Sequence, residues 1–290
     1  MKLSFLGLPD HPNARVALIP IPYEQSTTWL KGTAQAPIEI LKVSPYLEFF
    51  DEETKLSPHK ELGFVTYPVE EYPLDIEKAL LEVEKKTDLA ITSGYLPILL
   101  GGEHTITLGA IRAFKKHCPT LKVLHLDAHL DFRKEYLGSN LNHATVMRHV
   151  YDQGHSLLSV GIRALSEEEY EEAKKEGLEI VFAKDLHTDF KRALQKIKSF
   201  IKKGPVYISM DVDVMDPSIA PGVGTPEPGG LNWTQLLEIL KAVAKAHIVG
   251  MDIVETKPLP HYPFTEFLVG RIILKFSAYL AQTLKNEFKE

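Results

Sequence analysis

The chain has 290 residues, an apolar fraction of 44% and a formal net charge of -6 from 33 basic and 39 acidic side chains, the balance of a globular protein with a sizeable core. This charge, with the lysine pairs spread over amphipathic stretches, argues against a nucleic-acid surface. Cys118 is the only cysteine, which excludes an internal disulfide, and neither a signal peptide nor an apolar run of membrane-spanning length is expected, so the predicted compartment is the cytoplasm.

Short β-branched or leucine-rich runs lie at residues 15–19, 96–100, 121–126, 157–160, 179–182, 206–210 and 248–254. Helical patterns at 104–116, 166–176, 190–202, 233–245 and 265–284 alternate with them. That alternation predicts an α/β fold, a three-layer α-β-α arrangement on a mostly parallel sheet, in a single domain over 1–290. Ser166 and Glu169 form a capping box, Glu171 and Lys175 a favourable i,i+4 pair, and Gly177 a C-cap. The richest Pro/Gly stretch, 217–230, directly follows an acidic motif and is expected to be a loop of the site rather than a linker.

Two segments carry most of the chemistry: His125-Leu126-Asp127-Ala128-His129-Leu130-Asp131 and Ser209-Met210-Asp211-Val212-Asp213, the latter continuing to Asp216-Pro217. Each places acids or imidazoles at alternate positions after an apolar run. Side chains two apart on an extended backbone point the same way, so Asp127, His129 and Asp131 are expected to converge, as are Asp211 and Asp213. In an open α/β sheet, ligands bind beyond the carboxyl ends of the strands. Gly101-Gly102-Glu103-His104 ends such a strand and supplies His104 as a sixth ligand candidate. Four clustered aspartates repel one another unless cations neutralise them, and two divalent ions balance four negative charges.

Other residues have simpler readings. His125 lies deeper in its strand and reads as a hydrogen-bonded core histidine or one orienting a ligand. Asp216 precedes a proline and reads as a turn-forming acid, and Glu103 as either a ligand-orienting acid or a charge favoured at a helix N-terminus. His143 follows the first motif by a loop and suits proton transfer at a pocket mouth, although most lone histidines are inert. Glu255 ends a strand facing the same crevice, where a solvated strand-end acid is the alternative.

These motifs resemble, in order and spacing, the three metal signatures of the ureohydrolase family of arginases and agmatinases. The Gly-Thr-Pro-Glu-Pro-Gly-Gly segment at 224–230 and Glu255-Thr256-Lys257-Pro258 are similar to the agmatinase branch. The resemblance implies an arginase-like fold, two Mn2+ per chain held by His104, Asp127, His129, Asp131, Asp211 and Asp213, and assembly as trimers or hexamers. It places His143 as a proton shuttle and Glu255 on the substrate guanidinium; by its place among the ligands, Asp131 is expected to relay the proton of the attacking hydroxide. Departures are Glu103 where the family favours Asp, Ala36 for Gly and Leu41 for Arg in the segment 32–41.

The chemistry so implied is hydrolysis of a cationic guanidino compound to urea and an amine, with agmatine giving putrescine. The loop between Asp131 and His143 lacks the arginase pattern for an α-amino acid, which disfavours arginine; aminopropylagmatine and guanidinobutyrate are further candidates. A metallophosphatase reading of Asp127-x-His129 lacks its downstream motifs in this chain. A non-catalytic relative that only binds metal or a polyamine would not need the retained His143 and Glu255.

Overall fold

The computed structural model describes residues 3–287. The apolar runs form eight strands: β1 (Val16–Ile21), β2 (Phe64–Thr66), β3 (Leu96–Gly101), β4 (Lys122–Leu126), β5 (Ser156–Ile162), β6 (Glu179–Phe182), β7 (Val206–Asp211) and β8 (Ile248–Val254). They pair in the order β2-β1-β3-β8-β7-β4-β5-β6, and every pair is parallel. A parallel sheet is covered on both faces, which is why β1, buried along its whole length, reads as an unbroken apolar run.

Successive side chains of a strand enter opposite cores. Ile98 and Leu100 of β3 join one core with residues of α1 (Ala36–Val43), α8 (Phe190–Ile201), α9 (Trp233–Val243) and α10 (Phe264–Glu287). Leu99 joins the other with α3 (Ile76–Thr92), α4 (Thr107–His117) and α5 (Val146–Asp152). The three layers are those expected from the strand-helix alternation. Several elements were not legible as clear patterns: β2, whose three residues on the sheet edge show no period, the short helices α1, α2 (Pro58–Glu61), α5 and α7 (Ala183–Thr188), and α3, which buries Ala79, Leu80, Val83, Thr87 and Ala90 and is capped by Asp75 accepting from Lys78 N.

Local signals hold with one change. Ser166 and Glu169 exchange both capping-box hydrogen bonds at the start of α6 (Glu167–Glu176), and Gly177 closes it at φ 71°. Glu171 lies 3.9 Å from Lys174, not from the expected Lys175. Contrary to the sequence reading, one helix, Phe264–Asn286, is long and apolar enough to cross a bilayer; 61% of its most apolar window is buried, by core residues such as Ile272, Ile273 and Phe276.

After β3 the chain passes two sheet positions before laying down β4, and β7 and β8 later fill that gap. The carboxyl ends of β3, β8, β7 and β4 are therefore adjacent, and the crevice above them is where an open α/β sheet binds its ligand.

Candidate functional site

His104 leaves β3 in a 3-10 turn, His104–Ile106, ahead of α4 instead of in the continuous helix expected from residue 104. The Gly102 backbone makes this possible: its amide donates to Ile21 O and its carbonyl accepts from Glu255 N, while a Cβ there would collide with the Tyr23 carbonyl. His104 is buried, and its Nδ1 stands 3.2 Å from Asp127 Oδ2, 3.1 Å from Asp131 Oδ2 and 3.5 Å from Asp211 Oδ2. A second set gathers around His129, whose Nδ1 lies 2.8 Å from Asp213 Oδ2 and 3.6 Å from Asp127 Oδ1. All six expected ligand candidates thus meet in two subsites, with Asp127 offering one oxygen to each.

The simple alternation drawn from the sequence does not survive in detail. β4 ends at Leu126, and Asp131 adopts φ 52°, which turns its side chain back toward His104 while His129 faces the other subsite. Asp211 is the last residue of β7 and Asp213 sits in the 3-10 turn Val212–Val214, so they also face different subsites. Asp211 Oδ1 accepts from Asp213 N, and Asp213 Oδ1 accepts from Ala128 N, which ties the two acidic segments together.

The electrostatics of this cluster call for positive charge. Burial, then Asp213 and Asp127, push the Asp211 carboxyl well up, and burial with Asp127 raises Asp213. Burial opposes a charged imidazole at His129, yet Asp213 and Asp127 hold it up at about 12. The donors around Asp127 also suit a cation: groups formed by His104, His125, Asp127 and Asp131, and by Asp127, His129 and Asp213, each bring their ligand atoms within 4.8 Å of one another. His125 is committed elsewhere, with Nε2 at 2.8 Å from Asp127 Oδ2 and Nδ1 at 3.0 Å from Ser159 Oγ. It orients Asp127, as its depth in the strand implied.

His104 provides the clearest test of fit. Ser209 Oγ donates to Asp252 Oδ1 at 2.9 Å and so accepts from His104 Nε2, also at 2.9 Å. An imidazole proton is thereby held on Nε2; burial opposes a second, yet Asp127, Asp131 and Asp211 around the buried Nδ1 hold the ring well above its usual pKa, and a cation taking the place of that proton would find the Nδ1 lone pair aimed at it. Tyr207 and Thr107 donate to Asp252 Oδ2 at 2.7 and 2.9 Å, fixing that carboxylate. Sequence reasoning missed Asp252. The signal was an acid inside the apolar run of β8.

Glu255 follows β8 at φ 61°, and its Oε1 accepts from His104 N at 2.7 Å. Its Oε2 has no hydrogen bond among the described residues. His143 opens a short turn capped by Asn142, with Nδ1 at 3.2 Å from Ser26 Oγ. Glu103 does not touch a ligand side chain. Its Oε2 accepts from Gln25 N and Ser26 N and its Oε1 from Ser26 Oγ, so it fixes the loop that in turn fixes His143. Asp216 accepts from Ser218, Gly229 and Gly230 amides as a turn acid; the Ser218 hydroxyl and amide hold its pKa down at about 2. A cavity of about 300 Å³ is lined by His104, His129, Asp131, Asp211, His143 and Glu255, with Gly224, Thr225 and Glu227 of the Pro/Gly loop at its side.

Comparison with known proteins agrees with this geometry. The Arginase family model matches residues 14–278. An N(1)-aminopropylagmatine ureohydrolase from Synechocystis sp. is 31% identical over 97% of this chain and 94% of its own length. An agmatinase from Bacillus anthracis is 32% identical over 89% of each chain. The crystal structure of the agmatine ureohydrolase of Thermoplasma volcanium superposes with a TM-score of 0.89 at 31% identity, covering 98% of this chain and 96% of that one. The chain belongs to the arginase family, whose members depend on a binuclear metal centre. Within it, the chain is a ureohydrolase, a metal-dependent enzyme that hydrolyses C–N bonds of linear amidines.

Proposed function

We propose that this enzyme releases urea from agmatine and leaves putrescine, using manganese held by His104, Asp127, His129, Asp131, Asp211 and Asp213. The observation that carries the reading is the acidic cavity floor, where the open oxygen of Glu255 stands beside the cluster around His104. Two divalent ions held by these residues would lower the pKa of water toward ~7 and so would supply hydroxide at neutral pH. An imidazole and carboxylate donor set without thiolate suits manganese.

The chain's own residues do the rest. Glu255, with Oε1 fixed by the His104 amide, accepts hydrogen bonds from the guanidinium and holds its carbon over the cluster. Asp131 accepts the proton released on attack. His143, half-buried at the cavity wall and steadied by Ser26, exchanges protons with solvent so that the departing amine leaves protonated. The Synechocystis relative supports a second substrate, agmatine extended by an aminopropyl group. A urea-release panel with manganese supplied, over agmatine, aminopropylagmatine, guanidinobutyrate and arginine, tests the reading. Turnover of agmatine at least tenfold above guanidinobutyrate and arginine is expected; absence of urea from all four overturns it.

A further inference from the structure

The outer wall of the cavity carries charges that the hydrolytic reaction does not use. Arg133 and Glu169 both line it, but they cancel each other: Arg133 Nε donates to Glu169 Oε2 at 3.1 Å, and the guanidinium lies over the Tyr136 ring. Glu169 is further occupied by Phe132 N and Ser166 N. Glu227 is different. It lines the same cavity, and among the described residues its carboxylate has neither a hydrogen bond nor an ion pair.

The backbone beneath Glu227 is held with unusual thoroughness for an outer loop. Arg163 donates to its carbonyl through Nε at 3.2 Å and Nη2 at 2.7 Å, and through Nε to Pro228 O at 3.1 Å. Asp216 Oδ2 accepts from Gly229 N at 2.8 Å, and prolines at 226 and 228 restrict φ on both sides. This framework fixes the backbone that carries one unanswered negative charge. A ligand bound there orders the Glu227 side chain but not its loop, which limits the entropy lost on binding.

Glu227 also lies at a suitable reach from the guanidinium end. A Cβ on Gly224 would stand 3.9 Å from Glu255 Oε2 and 3.7 Å from Leu30 O. Three residues of extended chain span at most ~10 Å, and the six bonds from a guanidinium carbon to the ammonium of a four-carbon tail span ~7 Å when extended. Trp29, next to Leu30, lines the cavity and is 73% exposed. Its loop is clamped at both ends: Glu24 accepts from Thr27 Oγ1 and Gly32 N, and Glu103 from Gln25 N and Ser26 N. An indole face at a pocket mouth attracts an alkylammonium ion.

Resting on the reading of the substrate as a guanidinoalkylamine, we propose that Glu227 and Trp29 form the subsite for the ammonium of the substrate tail and so exclude tails that end in a carboxylate. The test measures kcat and KM for agmatine, for neutral-tailed butylguanidine and for guanidinobutyrate, in the manganese-loaded wild type, Glu227→Gln and Glu227→Lys. Loss of the charge is expected to raise KM for agmatine about tenfold with kcat within twofold, to leave butylguanidine unchanged, and to improve guanidinobutyrate, most strongly in Glu227→Lys.

A second readout does not depend on turnover. With Trp233→Phe as background, Trp29 is the remaining tryptophan, and putrescine is expected to change its emission with an affinity about tenfold weaker after Glu227→Gln. Urea release with the same preference among the three compounds in every variant, or putrescine without effect on Trp29, overturns the subsite alone. No urea from any compound overturns the proposed function and the subsite together.

Discussion

Replacing Ser209 by alanine removes two buried hydrogen bonds, from His104 Nε2 to Ser209 Oγ and from Ser209 Oγ to Asp252 Oδ1, both at 2.9 Å. At about 1 kcal/mol net for each, folding stability falls by ~2 kcal/mol, and losing the outer partner of a ligand histidine lowers metal affinity by ~10–100-fold. Asp252→Asn sharpens the expectation. Tyr207 and Thr107 both donate to Oδ2, so the amide keeps its carbonyl there and turns its NH2 toward Ser209. Ser209 must then donate to His104 Nε2, which moves the imidazole proton to Nδ1, where it blocks the metal. Calorimetric titration of each metal-stripped variant with Mn2+, beside a urea melt, reads both effects. Affinity for manganese equal to wild type in Asp252→Asn and Ser209→Ala would refute the tautomer reasoning, whatever happens to stability.

Four other substitutions have defined outcomes. Gly102→Ala drives a methyl group into the Tyr23 carbonyl and displaces the segment that carries His104, so calorimetry should show a lower Tm and weakened manganese binding. Lys275→Ala strands Asp51, buried beside it at 2.7 Å, and should cost about 3 kcal/mol at pH 7 in a urea melt. Burial opposes ionisation of both partners, but Lys275 and Thr54 hold Asp51 below its usual range and Asp51 and Glu52 hold Lys275 above its own. The pair therefore stabilises from about pH 4, the unfolded Asp value, to about pH 10, the unfolded Lys value, and the gap between variant and wild type should shrink outside that window. His143→Ala should slow urea release at least tenfold with the metal content measured by elemental analysis unchanged, whereas Asp213→Ala should lose an ion.

The sheet and the six convergent side chains were legible because buried parallel strands are written as apolar runs and their ends as sudden acids. The division of labour among those acids was not, because it depends on single backbone angles. Asp131 turns at φ 52°, which no periodicity encodes, and that turn decides that it joins His104 instead of His129. Glu103 was read as a ligand-orienting acid or a helix-end charge. It instead reaches across 77 residues to the Ser26 amide, a contact that exists only once β1 and β3 are side by side. Asp252 was hidden for the opposite reason, since its neighbours made β8 look wholly apolar.

The position of β8 has a consequence for how the enzyme comes into being. All six donor side chains have been synthesised by residue 213, yet His104 extends from β3 and the others from β4 and β7, two blocks of strands with no shared edge until residues 248–254 slot between them. A nascent chain still short of that segment can pair β4 with β7 and so gather five of the donors, but nothing yet brings His104 to them. Completion of the pair of subsites therefore arrives late, when β8 enters the middle of the sheet and joins His104 to the rest, a non-local closure that must wait for residues 248–254.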